Sequence, residues 1–176
     1  MRIALLPDIH GNCLALDKVL ADLRARSIDQ IVCPGDAIQG GPQPAEVFHR
    51  LCELACPVVM GNADAWLLTG RDTSSHEAIS AQQLAAREWS LAQLSEANRA
   101  FIAQFQPTIE IALEANTTLL CFHGSPSSFE DIIRPNTSDL VVTYLEYRLI
   151  EPVLVLKITV AWGEFPTSPC ASAPVT

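Results

Sequence analysis

Short apolar runs alternate with amphipathic stretches over the first 60 residues of the chain. The runs at 3–6, 31–33 and 58–60 each end at a proline or glycine, with a polar residue one or two positions later. Between these runs, apolar residues recur every three or four positions, the spacing of a helix face packed on a core. The pattern predicts the order β-α-β-α-β, and unbroken apolar strands are typical of a parallel sheet that is buried on both faces.

The middle of the chain combines helical and strand patterns. Capping-box spacing, a serine followed three residues later by Glu or Gln, predicts helix starts at Ser74 and Ser90. Four apolar residues are predicted to line one helical face after the second start: Leu94, Phe101, Ile102 and Phe105. Residues 108–113 and 117–122 flank a polar turn and predict a β-hairpin.

The chain changes character after residue 148. Residues 151–162 are compatible with one β-strand, whereas residues 163–176 form a Pro/Ser/Ala-rich segment without periodicity, which predicts disorder. We therefore expect one domain over residues 1–162 and a disordered tail over 163–176. No stretch has the ~20 apolar residues of a membrane span, and Pro7 interrupts the opening run too early for a signal peptide. These features predict a cytoplasmic protein without a membrane partner.

The composition narrows the classes of function. With 49% hydrophobic residues and a formal charge of −9, the chain can bury a core but repels phosphate backbones, so nucleic-acid binding through a basic surface is disfavoured. Clustered carboxylates remain compatible with a metal site, because bound cations offset their charge locally. The six cysteines contain no C-x-x-C pair, and we expect them to be reduced and mostly buried.

Four predicted strands each end in a glycine-containing turn that carries a potential metal ligand. Asp8 and His10 follow the first strand, Asp36 the second, Asn62 the third and His123 the last strand of the hairpin. Each turn alone is a common polar turn, but the carboxyl ends of such strands converge on one edge of a sheet. Carboxylate, imidazole and amide donors suit Mn, Fe or Zn, and Asp36 is the most plausible bridge between two ions.

The motifs in these turns resemble those of the calcineurin-like metallophosphoesterases, most closely the small prokaryotic phosphodiesterase branch. The resemblance covers residues 1 to about 135 and rests on four ordered motifs: Asp8-Ile9-His10-Gly11-Asn12, Gly35-Asp36 with Gly41-Pro42, Gly61-Asn62-Ala63-Asp64, and His123-Gly124-Ser125-Pro126. It implies an α/β fold, a four-layer α/β/β/α sandwich, and a dinuclear metal centre.

The resemblance also implies a role for each candidate residue. Asp8, His10 and Asp36 would hold one ion, and Asp36, Asn62 and His123 the other. A hydroxide between the ions would attack phosphorus, and Asn12 and Asn62 would lie near the phosphoryl oxygens. The implied cofactors are two divalent ions, with Mn first and Fe, Zn, Ni or Mg as alternatives. The implied partner is a small phosphoester, and exposed edge strands allow self-association into a homo-oligomer.

The chain departs from the family pattern in three places. The family closes its site with a Gly-His-x-His turn, but no histidine follows His123. The sandwich is therefore expected to be incomplete at its C-terminus, with each ion lacking one protein ligand. His49 and His76 are expected at the surface or in packing. Ala63 stands where many relatives carry a proton-donating histidine, and Pro7 replaces a small hydroxyl residue.

Two hypotheses follow from this comparison. The first is a phosphodiester hydrolase that prefers good leaving groups. The second is a non-catalytic remnant that binds a metal or a phosphate. A metal-free nucleotide-binding module is disfavoured, because the chain has neither a G-x-G-x-x-G motif nor a P-loop. Asp64 is expected to be either a structural group or one that positions a ligand through a hydrogen bond.

Overall fold

The computed structural model describes residues 1–71, 79–113 and 117–132, together with the short strand at 153–154. Its first sheet is parallel, with β1 (Ile3–Leu5) paired to β2 (Gln30–Val32). The parallel pairing continues as a bridge between Cys33 and Val58. The apolar run at 58–60 therefore joins the sheet beside β2, as the sequence pattern predicts.

Helices connect and follow these strands. The described helices are α1 (Cys13–Arg24), α2 (Pro44–Leu54), α3 (Asn62–Thr69), α4 (Ala81–Ala92) and α5 (Glu96–Ile102). Pro44 occupies the first turn of α2, where its missing N–H has no helical partner to lose. None of the helices within the described ranges combines the length and apolarity that a bilayer span requires.

The first sheet is covered on both faces. Leu6, Cys33 and Val58 pack with the inner faces of the helices in one core cluster. Val32 and Val59 point the other way and pack against a second sheet. Successive residues thus serve opposite cores, which explains why the strand sequences are apolar without interruption.

The second sheet begins with the predicted hairpin. Strands β3 (Thr108–Ala112) and β4 (Thr118–Phe122) pair antiparallel, and β5 (Val153–Leu154) runs parallel to β4. The described residues thus form three layers, helices on a parallel sheet on a second sheet, and the predicted α/β class is confirmed. Three predictions fall outside the described residues: the second helical layer, the rest of the strand at 151–162 and the disordered tail at 163–176.

Helix starts were predicted less well than strands. Ser90 does not begin a helix, because it lies within α4 and is buried. The capping boxes are formed by Ser80 with Gln83 and by Ser95 with Asn98, whose side chains exchange hydrogen bonds with the backbone. A Ser-x-x-Gln sequence satisfies the spacing at any point along a helix, so the spacing cannot locate the first turn. The predicted start at Ser74 lies outside the described residues.

The structure also gives the exposure of Phe101 and the state of the cysteines. Phe101, predicted on the inner face, is 47% exposed, although its ring makes edge contacts with Phe48 and Phe105. Among the described cysteines, all are free thiols, and Cys52 is exposed.

Candidate metal centre

The loops that follow β1 and β2 run side by side at the carboxyl edge of the first sheet. The Asp8 N–H donates to the Gly35 carbonyl at 3.1 Å, and the His10 N–H donates to the Asp36 carbonyl at 2.9 Å. Backbone pairing of the two strands therefore continues into their loops. It brings the candidate ligands of the first and second motifs together.

Three of the candidate ligands adopt a strained backbone conformation. Asp8, His10 and Asp36 have φ values of 54°, 47° and 54°, and they are three of the five non-glycine residues with positive φ in the described part of the chain. Such conformations persist only where the surrounding structure holds them, and they cluster at functional sites. The strain thus coincides with the motifs that the sequence singled out.

Asp8, His10 and Asp36 form a compact group of potential ligands. His10 Nε2 lies 3.8 Å from Asp8 Oδ1 and 3.7 Å from Asp36 Oδ2. One ligand atom from each of the three residues lies within 4.8 Å of the other two. Partial burial and then the Asp36 carboxylate raise the pKa of Asp8. A bound cation would relieve this crowding of negative charge.

His123 and Asn62 join the group from the second sheet and from α3. His123 Nε2 lies 3.5 Å from Asp36 Oδ2 and 2.9 Å from Asn62 Oδ1. Asp36 Oδ2 is thus close to the Nε2 atoms of both His10 and His123. The structure therefore brings together all five residues that the sequence proposed as metal ligands.

Backbone carbonyls determine which nitrogen of each imidazole is available. His10 Nδ1 lies 2.7 Å from the Gln39 carbonyl oxygen, and His123 Nδ1 lies 3.0 Å from the Pro34 carbonyl oxygen. Because a carbonyl oxygen can only accept, each Nδ1 carries the hydrogen and donates it. In the neutral imidazole, Nε2 is then a lone-pair donor to a metal, as in most histidine metal sites.

The donor set fits divalent cations. The lone pair of His123 Nε2 points toward Asp36 Oδ2 and Asn62 Oδ1. None of these three atoms carries a hydrogen, so they present only lone pairs to one another. Two ligands bound at about 2.1 Å from one ion lie roughly 3–4 Å apart, and the separations in this group fall within or close to that range. The residues present therefore match the chemistry of a metal centre.

The Asp36 carboxylate is held by the first turn of α3. Its Oδ1 accepts a hydrogen bond from the Ala63 N–H at 2.8 Å. Gly61 packs so closely on Asp36 that a Cβ atom at Gly61 would overlap its carboxylate and backbone nitrogen. One oxygen of Asp36 is thus used for placement, while the other faces the two imidazoles.

Asp64 is fully buried behind this loop. Its two carboxylate oxygens accept from the N–H groups of Ala37 and Ile38, each at 2.9 Å. The expected hydrogen bond to a ligand side chain is absent from the bonds of Asp64 within the described residues, and the contacts go to the backbone instead. Burial, followed by the nearby Asp36 carboxylate, raises the pKa of Asp64 to about 6.

The remaining candidates are placed less directly. Asn12 caps α1, with its Oδ1 accepting from the Ala15 N–H at 3.0 Å. His49 is exposed on α2, where its ring contacts Phe48, in agreement with the expected surface position. His76 lies outside the described residues. Sequence reasoning missed the carbonyls of Pro34 and Gln39, because a backbone acceptor has no signature in residue type.

Comparison with known proteins gives a family match over most of the chain. Residues 1–166 match the profile of the calcineurin-like phosphoesterases. An uncharacterized protein of Methanocaldococcus jannaschii is 41% identical over 66 residues, which are 38% of this chain and 27% of that protein.

Two solved structures share the fold. A metallophosphoesterase from Sphaerobacter thermophilus superposes with a TM-score of 0.62 at 25% identity, over 87% of this chain and 59% of that one. A hypothetical protein from Pyrococcus horikoshii OT3 superposes with a TM-score of 0.66 at 19% identity, over 83% of this chain and 64% of that one. The chain thus spans less than two thirds of either relative. With the family profile matched over most of its length, the chain belongs to the calcineurin-like phosphoesterase family, which is metal-dependent.

Proposed function

We propose that this protein is a metal-dependent phosphoesterase that hydrolyses phosphodiesters at a centre of two divalent ions. The observation that carries the proposal is the position of Asp36 Oδ2, 3.7 Å from His10 Nε2 and 3.5 Å from His123 Nε2. One carboxylate oxygen shared between two imidazoles is the arrangement expected where a single residue bridges two ions.

The ligands divide into two sets around Asp36. Asp8, His10 and Asp36 would hold one ion, and Asp36, Asn62 and His123 the other. Manganese is the first choice for this mixture of carboxylate, imidazole and amide donors, with Fe, Zn, Ni or Mg as alternatives. When bound, two such ions supply Lewis acidity at the phosphoryl oxygens and lower the pKa of water to about 7.

Two carboxamides would orient the phosphoryl group. Asn12 Oδ1 is engaged by the α1 backbone, and Asn62 Oδ1 faces His123. Each side chain therefore keeps its Nδ2 hydrogens as donors. Donors aimed at phosphoryl oxygens stabilise the charge that develops there as the bond to the leaving group breaks.

The leaving group receives no help from residue 63. Ala63 has no side chain that could donate a proton, and general acid assistance is typically worth about 10²–10⁴-fold in rate. Substrates with good leaving groups, such as aryl phosphodiesters, should therefore be favoured. The formal charge of −9 also disfavours a dianionic monoester more than a monoanionic diester.

The test is Mn²⁺-dependent hydrolysis of bis-p-nitrophenyl phosphate by the purified protein and its Asp36→Asn variant. We expect the variant to lose more than about 100-fold in turnover, because outer-shell changes alone typically cost 10–100-fold and Asp36 is a shared ligand. Glu110→Gln removes the same charge from an exposed position on β3 and should leave turnover unchanged.

Equal turnover by wild type and Asp36→Asn would refute the assignment of Asp36. Faster hydrolysis of p-nitrophenyl phosphate than of the diester would refute the diester preference alone. The two parts of the proposal are therefore tested separately.

A second candidate function is metal or phosphate binding without turnover. No histidine follows His123 in the sequence. Within the described residues, Asp8, His10 and Asp36 form the single cluster of three His, Cys, Asp or Glu ligands. Metal analysis of the folded protein separates the candidates: two ions per chain with turnover support the hydrolase, and one ion without turnover supports the binding protein.

A further inference from the structure

Two buried carboxylates link the loop after β2 to the start of α3, because each accepts hydrogen bonds from the backbone of the other segment. Asp36, in the loop, accepts from the Ala63 N–H on α3. Asp64, on α3, accepts from the N–H groups of Ala37 and Ile38 in the loop. We call this reciprocal arrangement, residues 36–38 with residues 61–64, the carboxylate clasp.

Stability alone is a poor explanation for Asp64. Its exposure is 0%, and no cation pairs with it among the described residues. Taking a carboxylate out of water without a countercharge is expensive, even where backbone amides satisfy its oxygens. An apolar residue would avoid this cost but would leave the buried N–H groups of Ala37 and Ile38 without acceptors. What the carboxylate adds is therefore specific to these two amides, which it satisfies and places.

The placement of these amides bears directly on Asp36. Asp36 has a φ of 54°, which the chain maintains only if the residues that follow it are held. Asp64 holds the next two N–H groups, and Ala63 holds one oxygen of Asp36 itself. The second oxygen is thereby aimed between His10 Nε2 and His123 Nε2.

We propose that Asp64 is a positioning residue of the metal centre, which sets the orientation of the shared Asp36 carboxylate through the amides of Ala37 and Ile38. This inference rests on the proposed metal-dependent function. It goes beyond that function by assigning the bridging geometry to a residue that touches neither ion nor substrate.

Asp64→Asn tests the clasp with little change in shape. The carboxamide oxygen can accept from one of the two loop amides, and the NH₂ group then faces the other amide N–H, which is also a donor. One of the two hydrogen bonds is lost, and the Asp36 carboxylate is free to rotate. We expect the dissociation constant for Mn²⁺ to rise by about 10- to 100-fold, the usual consequence of losing an outer-shell partner.

The measurement is titration of the full chain with Mn²⁺, followed by calorimetry and by electron paramagnetic resonance. The resonance spectrum of bound Mn²⁺ reports ligand geometry, so at saturation its shape should differ between Asp64→Asn and wild type. Leu20→Ala, in the buried face of α1, is the control for lost stability and should bind Mn²⁺ as the wild type does.

Each other result overturns the inference. Wild-type affinity in Asp64→Asn would show that the clasp does not position Asp36. If Asp64→Asn binds Mn²⁺ more weakly but has the wild-type spectrum, Asp64 contributes only negative charge. If Leu20→Ala loses as much Mn²⁺ affinity as Asp64→Asn, the role of Asp64 is only structural. If the wild type binds no Mn²⁺, it is the proposed function that fails.

Hydrogen exchange of the wild type keeps the inference testable if Asp64→Asn does not fold. Mn²⁺ should slow exchange of the Ala37 and Ile38 amides, which Asp64 holds and which belong to no candidate ligand residue. Unchanged exchange of these two amides on binding Mn²⁺ would contradict the link.

Discussion

The loops that carry the candidate metal ligands, called the rim below, and the core between the two sheets are stabilised by different kinds of interaction. The inter-sheet core consists of apolar side chains, such as Val32, Val59 and Ile111, on strands with ordinary backbone conformations. The rim consists of polar side chains on loops, and Asp8, His10 and Asp36 all have positive φ. Packing holds the first region, whereas backbone hydrogen bonds and close glycine contacts hold the second.

This difference indicates where each region tolerates change. In the core, a smaller apolar residue leaves a cavity and lowers stability, but the fold keeps its geometry. At the rim, a single added carbon can displace a ligand. Gly35, for example, has a φ of 100°, and a Cβ there would lie 2.8 Å from His123 Nδ1. Three substitutions test the contrast, in decreasing order of their expected effect on turnover.

Gly61→Ala should cause the largest loss of turnover of the three. The added Cβ overlaps the Asp36 carboxylate, so the shared ligand must move. Misplacement costs about 10²-fold in rate and metal binding weakens about 10-fold, so we expect roughly 10³-fold lower turnover at limiting Mn²⁺. Initial rates across an Mn²⁺ titration check this value. Ala65→Gly, later in α3, is the matched control and should keep near-normal rates.

Asn12→Ala should have an intermediate effect. It removes the cap of α1, at a cost of about 1 kcal/mol in unfolding free energy, and a donor for the phosphoryl group, at about 100-fold in kcat. Ser95→Ala removes a cap of the same kind from α5, away from the rim. Chemical denaturation should show similar losses of stability in both variants. Equal kcat values in Asn12→Ala and Ser95→Ala would show that the role of Asn12 is only structural.

Ile111→Ala should leave turnover unchanged. Ile111 is 6% exposed in the inter-sheet core, on β3, which carries no candidate ligand. Its truncation should lower the free energy of unfolding by about 2–5 kcal/mol, as measured in urea. Rates per folded molecule should match wild type at 25 °C. A parallel fall in Mn²⁺ affinity would mean that the rim depends on core packing after all.

Most strands were predictable because burial on both faces leaves a direct mark in sequence. The runs at 3–6 and 31–33 and the hairpin at 108–122 all lie where apolar residues are continuous or flank a polar turn. The helix starts were harder, since Ser90 has the spacing of a cap within the body of α4. Whether a serine caps a helix depends on where the backbone leaves the helix, which short-range spacing does not determine.

The candidate ligands were predictable for a related reason. Asp8, Asp36 and Asn62 follow the parallel runs of the first sheet, whose carboxyl ends lie at one edge, and His10 is two residues beyond Asp8. His123 follows β4 and reaches the same edge from the second sheet. Residue type and strand order therefore selected five candidates that the structure places close together. Their mutual distances, by contrast, depend on loop conformations that no apolar pattern encodes.

The sequence by itself determined the order of the elements, the two-sided burial of the first sheet, and the residue types at its polar edge. Only the tertiary structure decided how the Asp36 carboxylate is held, with one oxygen accepting from the Ala63 N–H and the other facing two imidazoles. It also decided that Pro34 and Gln39 orient those imidazoles and that Asp64 holds the loop. These choices are made by backbone amides and carbonyls, which every residue carries, so only their arrangement in space distinguishes them.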